Sequence, residues 1–332
     1  MMRAVGSGVA FVVLACGGQA SPTESMADTG EATNVAEATA GGGSTDASGS
    51  TSLSADSTDA TESTGADVVP WSGPLRVMTF NVLCSFCDGT YAPWDARVPW
   101  IADTVVRHEP DVVGLQELVT AAEVDQLLAE LPEFSAIYFG EGEAAYPDAT
   151  ILYRPDQVEP LEQGWYWNSP TPDDPFSTGF IDGVQFPRIV GWAVLRRLSD
   201  DAQLLFSTTH FDNNAPSQEL SAPLALERLG PFAATVPVVF VGDYNSRPDS
   251  VAYGILTGQG GFTDSFDLAP GFSVVTNLPR RPVYDPTERI DHIFVTGGTW
   301  SASSWMVDEW IYGDDAELVS DHFAIVADLT VQ

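Results

Sequence analysis

The chain has no lysine. All 13 of its basic residues are arginine, set against 47 acids, for a formal net charge of −34. That imbalance argues against the broad basic footprint on which duplex nucleic-acid binding mainly rests, and it assigns most of the acids to a solvated surface. Long apolar runs are missing as well. The first candidate, Val9–Ala15, falls far short of the roughly 18 residues a membrane-spanning helix needs. Residues 17–67 contain no aromatic and no basic residue. No internal repeat and no second linker occur, so the remainder reads as one domain.

Three regions follow from these gaps. Residues 1–16, with Arg3 ahead of the short apolar run, read as a signal peptide. Their ending, Val13-Leu14-Ala15-Cys16, resembles the lipobox of bacterial lipoproteins, which would make Cys16 a lipidated residue; an ordinary secretion signal cleaved nearby is the other reading. Residues 17–67 are rich in Ser, Thr, Ala, Gly, Asp and Glu. Such a segment cannot bury enough apolar surface to offset its ordering entropy, and is expected to be a disordered tether reaching roughly 40 Å. Residues 68–332 hold every aromatic except Phe11 and are long enough for a substantial core. Nine of the acids lie in the tether, so this domain keeps 38 acids against 12 arginines.

Within it, apolar strands alternate with amphipathic helices. Strands are expected at 76–82, 111–117, 150–154, 189–198, 203–212, 236–245, 289–295 and 322–329. Val98, Ile101, Ala102, Val105 and Val106 fall at helical spacing before Pro110, and Thr120 with Glu123 forms a capping-box pattern ahead of Val124, Leu127, Leu128 and Leu131. A further helix is expected between Ser217 and Thr235, bent or broken at Pro223, and another from near Asp249. The class is α/β.

Several strands end in polar groups that a plain core has no use for. VPVVFV runs into Gly242-Asp243-Tyr244-Asn245, placing Asp243 and Asn245 on one face, and LLFSTT runs into His210-Phe211-Asp212. Asn81, Glu117 and Asp291 lie at other strand ends, and Asp321-His322 precedes the last strand. One strand-terminal acid is ordinarily a turn or cap residue; six such clusters in one domain point to a shared site. His292, out of phase with Asp291, and His108, at a helix C-terminus, are read as structural.

Taken in order, FN (80–81), QE (116–117), THFD (209–212), GDYN (242–245), RIDHIF (289–294) and SDH (320–322) resemble the endonuclease/exonuclease/phosphatase superfamily, the group that contains deoxyribonuclease I. The resemblance implies a four-layer α/β sandwich: two packed mixed or antiparallel β-sheets, helices outside, and an active site where strand ends converge. It also implies roles. Glu117 is the main metal ligand, with Asn81 and Asp321 beside it. Asp243 aligns and deprotonates the attacking water, and Asn245 orients Asp243 and the phosphate. His322, held by Asp291, hydrogen-bonds the phosphate, and His210 donates to the phosphate or the leaving oxygen. Asp212 shapes its loop. Arg188 is similar to a phosphate-contacting arginine of the deoxyribonuclease I branch, its alternative being a surface salt bridge. Oxygen donors of this kind suit Mg²⁺ or Mn²⁺ rather than zinc. In one place the pattern departs: a glutamate expected seven residues before Arg154 is Pro147 here, and Asp148 lies one residue out of phase. Either a bulge restores Asp148 as the partner of His210, or that histidine has none.

The activity so implied is metal-dependent phosphodiester hydrolysis by an exported, monomeric enzyme of nuclease type, touching the membrane only through a lipid anchor. A phospholipid or small-molecule phosphodiesterase or phosphatase is the alternative, and the acidity favours it. A decayed binding module would lack ligands, and here the set is complete. In an oxidising compartment Cys84 and Cys87 are expected to pair as a disulfide; a structural zinc site would need two further ligands, and His210 and His322 are already engaged.

Overall fold

The computed structural model describes residues 68–332 apart from 88, 183, 185, 260, 279–282 and 315. The signal peptide, Cys16 and the tether, with Arg280 and Arg281, lie outside the described residues.

Two sheets form the centre. The first runs in the order β10 (Thr263–Asp264), β12 (Asp291–Thr296), β9 (Val238–Asp243), β8 (Ala202–His210), β7 (Ile189–Arg197), β6 (Val158–Trp167), with β1 (Val69–Pro70) added on β8. The second runs β11 (Ser273–Val275), β13 (Trp300–Asp308), β16 (Ala324–Val331), β2 (Gly73–Asn81), β3 (Val112–Gln116), β5 (Tyr146–Tyr153), β4 (Ser135–Phe139). A small ribbon pairs β14 (Ile311–Tyr312) with β15 (Glu317–Leu318). Both large sheets are mixed: β8–β9 and β2–β3 are parallel, and most other pairs are antiparallel.

Period-two alternation stacks the layers. In β9, Val239 and Val241 face the other sheet, while Val238 and Phe240 face helices α3 (Ala215–Leu229) and α4 (Val251–Gln259). In β2, Leu75 and Val77 join the inter-sheet core, while Met78 and Phe80 pack on α1 (Trp94–His108) and α2 (Ala121–Glu130). The result is a four-layer α/β sandwich. The capping box forms as its spacing predicts: Glu123 N donates to Thr120 Oγ1 at 3.3 Å, and Thr120 N to Glu123 Oε2 at 3.3 Å. The helix α3 runs through Pro223 without interruption, so of the expected bend or break the break is not found.

Near the site end the two sheets approach closely at Gly114. A Cβ there would stand 2.4 Å from Val241 Cγ2 and 2.5 Å from Thr208 Oγ1. Gly114→Ala is therefore expected to cost about 1–3 kcal/mol by overpacking. Chemical denaturation checks this, and an unchanged midpoint would show that the sheets yield there.

Two histidines outside the strand-end cluster are fixed inside the sandwich. His108 Nε2 lies 2.7 Å from Asp308 Oδ2; the helix-end position alone did not foreshadow this partner. His292 Nδ1 lies 3.0 Å from Asp264 Oδ2, and its Nε2 reaches Ser246 O at 2.9 Å, a structural role as expected.

Candidate active site

The ends of β2, β3, β8 and β9 and the starts of the antiparallel strands β5, β12 and β16 meet at one edge of the sandwich. The registers His210↔Asp243, Asp243↔Asp291 and Gln116↔Ala149 bring their polar ends together. Backbone geometry reinforces the convergence. Glu117 and Asn245 both adopt left-handed φ, +70° and +49°. Gly242, at φ +152°, allows a close approach: a Cβ there would lie 2.1 Å from Thr209 O.

Asp243 is the centre. Its Oδ2 accepts from Asn81 Nδ2 at 3.0 Å and lies 3.5 Å from His210 Nε2 and 3.6 Å from His322 Nε2. Behind each imidazole stands a carboxylate: Asp148 Oδ1 is 3.0 Å from His210 Nδ1, and Asp291 Oδ2 is 2.8 Å from His322 Nδ1. The five side chains form one alternating row of acid and base. Asp148 reaches its place through an irregularity in the β4–β5 pairing, where Ile137 faces Ile151 but Phe139 faces Tyr146. Of the two alternatives open at the sequence level, Asp148 as the partner of His210 is the one found, with the register shift of β5 beside it.

Arg188 completes that side. Its Nη1 lies 2.8 Å from His210 Nδ1 and 3.6 Å from Asp148 Oδ2, so it is inside the site rather than in a surface salt bridge. Asn245 N donates to Asp243 Oδ1 at 2.8 Å, and Asn245 Nδ2 to Phe211 O at 3.0 Å. Asp212 Oδ1 accepts from Asn214 N at 2.8 Å, an arrangement internal to its loop.

On the other side, Asn81 bridges two acids by also donating from Nδ2 to Glu117 Oε1 at 3.0 Å, while its Oδ1 accepts from Leu83 N at 3.1 Å. Glu117 Oε2 accepts from Cys84 N at 2.8 Å. Cys84 and Cys87 are joined as a disulfide. Asp321 follows Ser320, whose Oγ donates to Asn81 O at 2.7 Å and accepts from His322 N at 3.1 Å.

The electrostatics divide the acids. Burial alone would push the Asp243 carboxyl up, but His322, His210, the Asn245 N–H and Asn81 outweigh it and hold it below the usual carboxylate range. Asp148 is likewise held down against burial by His210, Arg188 and the Glu117 N–H. Burial works against the charged imidazoles, yet the surrounding aspartates raise His210, and raise His322 well above the ordinary histidine range. Asp321 shifts the other way. Burial raises its carboxyl, and Glu117 and Asp243 add repulsion that His322 only partly offsets.

This mutual repulsion is what a divalent cation would relieve, and the donors, all oxygen, fit a hard ion. Asp243, Asp291 and His322 also have ligand atoms within 4.8 Å of one another, as do Cys84, Cys87 and Glu117. The first set is already satisfied by the hydrogen-bonded row, and the disulfide takes the two sulfurs out of the second.

Two contributors gave no signal in the sequence. Arg97 and Gln218 act through main-chain contacts, Gln218 Nε2 tying Asp212 O at 2.9 Å to Asn245 O at 2.8 Å. Such contacts leave no motif.

The profile of the Endonuclease/Exonuclease/phosphatase family matches residues 78–322. No curated protein matches the chain. Among solved structures, an endonuclease/exonuclease/phosphatase family protein from Bacteroides thetaiotaomicron is 25% identical, with a TM-score of 0.68 over 79% of this chain and 100% of that one. A second, from Bacteroides vulgatus, is 27% identical, with a TM-score of 0.67 over 78% and 99%. A mannosyl-6-phosphatase from Bacteroides thetaiotaomicron VPI-5482 is 25% identical, with a TM-score of 0.66 over 77% and 99%.

Proposed function

The chain belongs to the Endonuclease/Exonuclease/phosphatase family, and from that membership we propose that it hydrolyses small phosphoesters with the help of Mg²⁺ or Mn²⁺. The observation that carries this reading is Asp243 Oδ2 lying between two histidines, each backed by an aspartate, beside the acids Glu117 and Asp321.

Glu117 and Asp321 would hold the cation, with Asn81 bracing Glu117 against Asp243. When bound, such an ion polarises a phosphoryl oxygen and stabilises the leaving alkoxide. The chain's own groups do the rest. Asp243 Oδ2 accepts a hydrogen bond from the attacking water, aims it in line with the leaving oxygen, and takes its proton as the new P–O bond forms. His322, cationic because of the aspartates around it, donates from Nε2 to a phosphoryl oxygen as negative charge grows there. His210 donates from Nε2 towards the leaving side, while Arg188 stands behind its Nδ1, beside Asp148.

The substrate size follows from the arginines. Of the ten described, eight pair with carboxylates, Arg188 among them. Arg97 and Arg154 bind main-chain carbonyls, and Arg188 sits in the site. Little positive surface remains among the described residues to neutralise a polymer backbone. The similarity to a mannosyl-6-phosphatase supports small substrates further. Export and anchoring through Cys16 belong to the same reading and rest on the sequence.

A panel tests it: bis-p-nitrophenyl phosphate, p-nitrophenyl phosphate, a hexose 6-phosphate, phospholipid vesicles and plasmid DNA, with Mg²⁺ or Mn²⁺ and with chelator. Hydrolysis of a small ester is expected, lost on chelation and restored by metal. Inactivity across the panel would end the enzyme reading, and efficient plasmid cleavage would overturn the substrate class.

A further inference from the structure

We propose that the Cys84–Cys87 disulfide and the buried guanidinium of Arg97 form a clamp that aims the carboxylate of Glu117, so that the affinity of the site for a divalent cation depends on both. The inference rests on the reading of Glu117 as a metal ligand.

Glu117 lies one residue past β3 with φ +70°. A non-glycine residue in that conformation is strained and persists only where its surroundings over-determine it. Three contacts do so. Its main-chain N donates to Asp148 Oδ1 at 3.0 Å, and its Oε1 takes Asn81 Nδ2 at 3.0 Å. The third is the Cys84 N–H on Oε2 at 2.8 Å, with Cys87 Sγ 3.9 Å from the same oxygen. The first two come from sheet strands. The third comes from the irregular loop that leaves β2, where Leu83 is also left-handed at φ +59°. One oxygen of the carboxylate is therefore only as well placed as that loop.

Two devices hold the loop. From inside, Arg97 on α1 donates from Nη1 to Val82 O and, at 3.2 Å, to Val319 O. Its Nη2 reaches Leu83 O at 2.8 Å and Cys84 O at 3.4 Å. These carbonyls flank Asn81 on one loop and Ser320-Asp321 on the other, so one side chain ties together both segments beside the acids. Arg97 is 2% exposed and makes no ion pair among the described residues; its charge faces Asp321 and Glu117 through space. From outside, the disulfide closes Cys84 on Cys87, and Cys87 N donates to Cys84 O at 3.3 Å. A bridge spanning three residues removes little entropy from the unfolded chain. Its effect is local, on the direction of the Cys84 N–H.

The test measures Mn²⁺ binding by calorimetry, on the full chain, in four forms: oxidised; reduced by dithiothreitol, which passes two electrons to the disulfide and leaves two thiols, then freed of reductant under anaerobic conditions; Cys84→Ser/Cys87→Ser; and Arg97→Lys, which keeps the charge but loses the fork. Affinity in the last three is expected to fall about 10-fold or more, as for loss of groups that orient metal ligands. Circular dichroism should be unchanged, and the double serine variant should no longer respond to dithiothreitol. Mn²⁺ affinity within threefold of the oxidised protein in the reduced and serine forms would overturn the clamp, even if Arg97→Lys fails to fold. If the oxidised protein binds no Mn²⁺, the metal reading itself fails and takes the clamp with it; if all forms bind alike, only the clamp fails.

Discussion

Asp243→Asn is expected to lower kcat by roughly 10²–10⁴-fold, the usual worth of a positioned general base, on whichever phosphoester the chain turns over best. The substitution keeps the shape and changes the row. In the native arrangement Asp243 Oδ2 faces three donors, Asn81 Nδ2, His210 Nε2 and His322 Nε2, while Oδ1 takes the Asn245 N–H. An amide has one oxygen for these two sets, so one set meets an N–H. It also removes a charge that raises both histidines. The loss should therefore appear in kcat more than in KM, with the fold intact by thermal unfolding. A fall in kcat of less than 10-fold would mean that another group handles the water.

The largest effect on stability is expected away from the chemistry, at Asp264. This carboxylate is 1% exposed and takes Arg289 Nη2 at 3.0 Å, His292 Nδ1 at 3.0 Å, Tyr253 Oη at 3.2 Å and the Phe266 N–H at 3.0 Å. Asp264→Ala leaves a buried guanidinium without its counter-charge, a change worth about 3–5 kcal/mol. Burial pushes the Asp264 carboxyl up, but His292, Arg289 and the Phe266 N–H outweigh it and hold it below the ordinary range. A depressed carboxyl stabilises fully above its unfolded pKa of about 4 and loses that contribution as pH falls through the lower folded value. The deficit of the variant, measured by urea unfolding, should thus be largest near neutrality and shrink in acid below about pH 4. A deficit independent of pH would show that packing, and not the ion pair, supplies the stability.

Much of this was legible in the sequence, and the failures have physical causes. Strands buried on both faces, such as β8 and β9, announce themselves as apolar runs, and their polar ends mark the site because a core has no other use for them. The strand β6 was missed: it is the edge of its sheet, half exposed, and carries Pro160 and two glutamates. The strand β13, rich in serine, was missed for want of an apolar run. Asp148 could not be placed because counting by twos assumes a regular ladder, which β5 breaks. Arg97 was invisible for a different reason. Its partners are carbonyl oxygens, which every residue possesses, so no spacing of side chains encodes them.

All four histidines of the chain stand against an aspartate: His108 on Asp308, His210 on Asp148, His292 on Asp264 and His322 on Asp291. Histidine is the one side chain whose unperturbed titration spans pH 5 to 8, and the chain has no lysine to extend the range upward. The described exterior is thus left with carboxylates, arginines and neutral groups. Across the mildly acidic to mildly alkaline range the charge of that exterior stays constant, and the chemistry that follows the proton is gathered at the site edge, where His210 and His322 face Asp243.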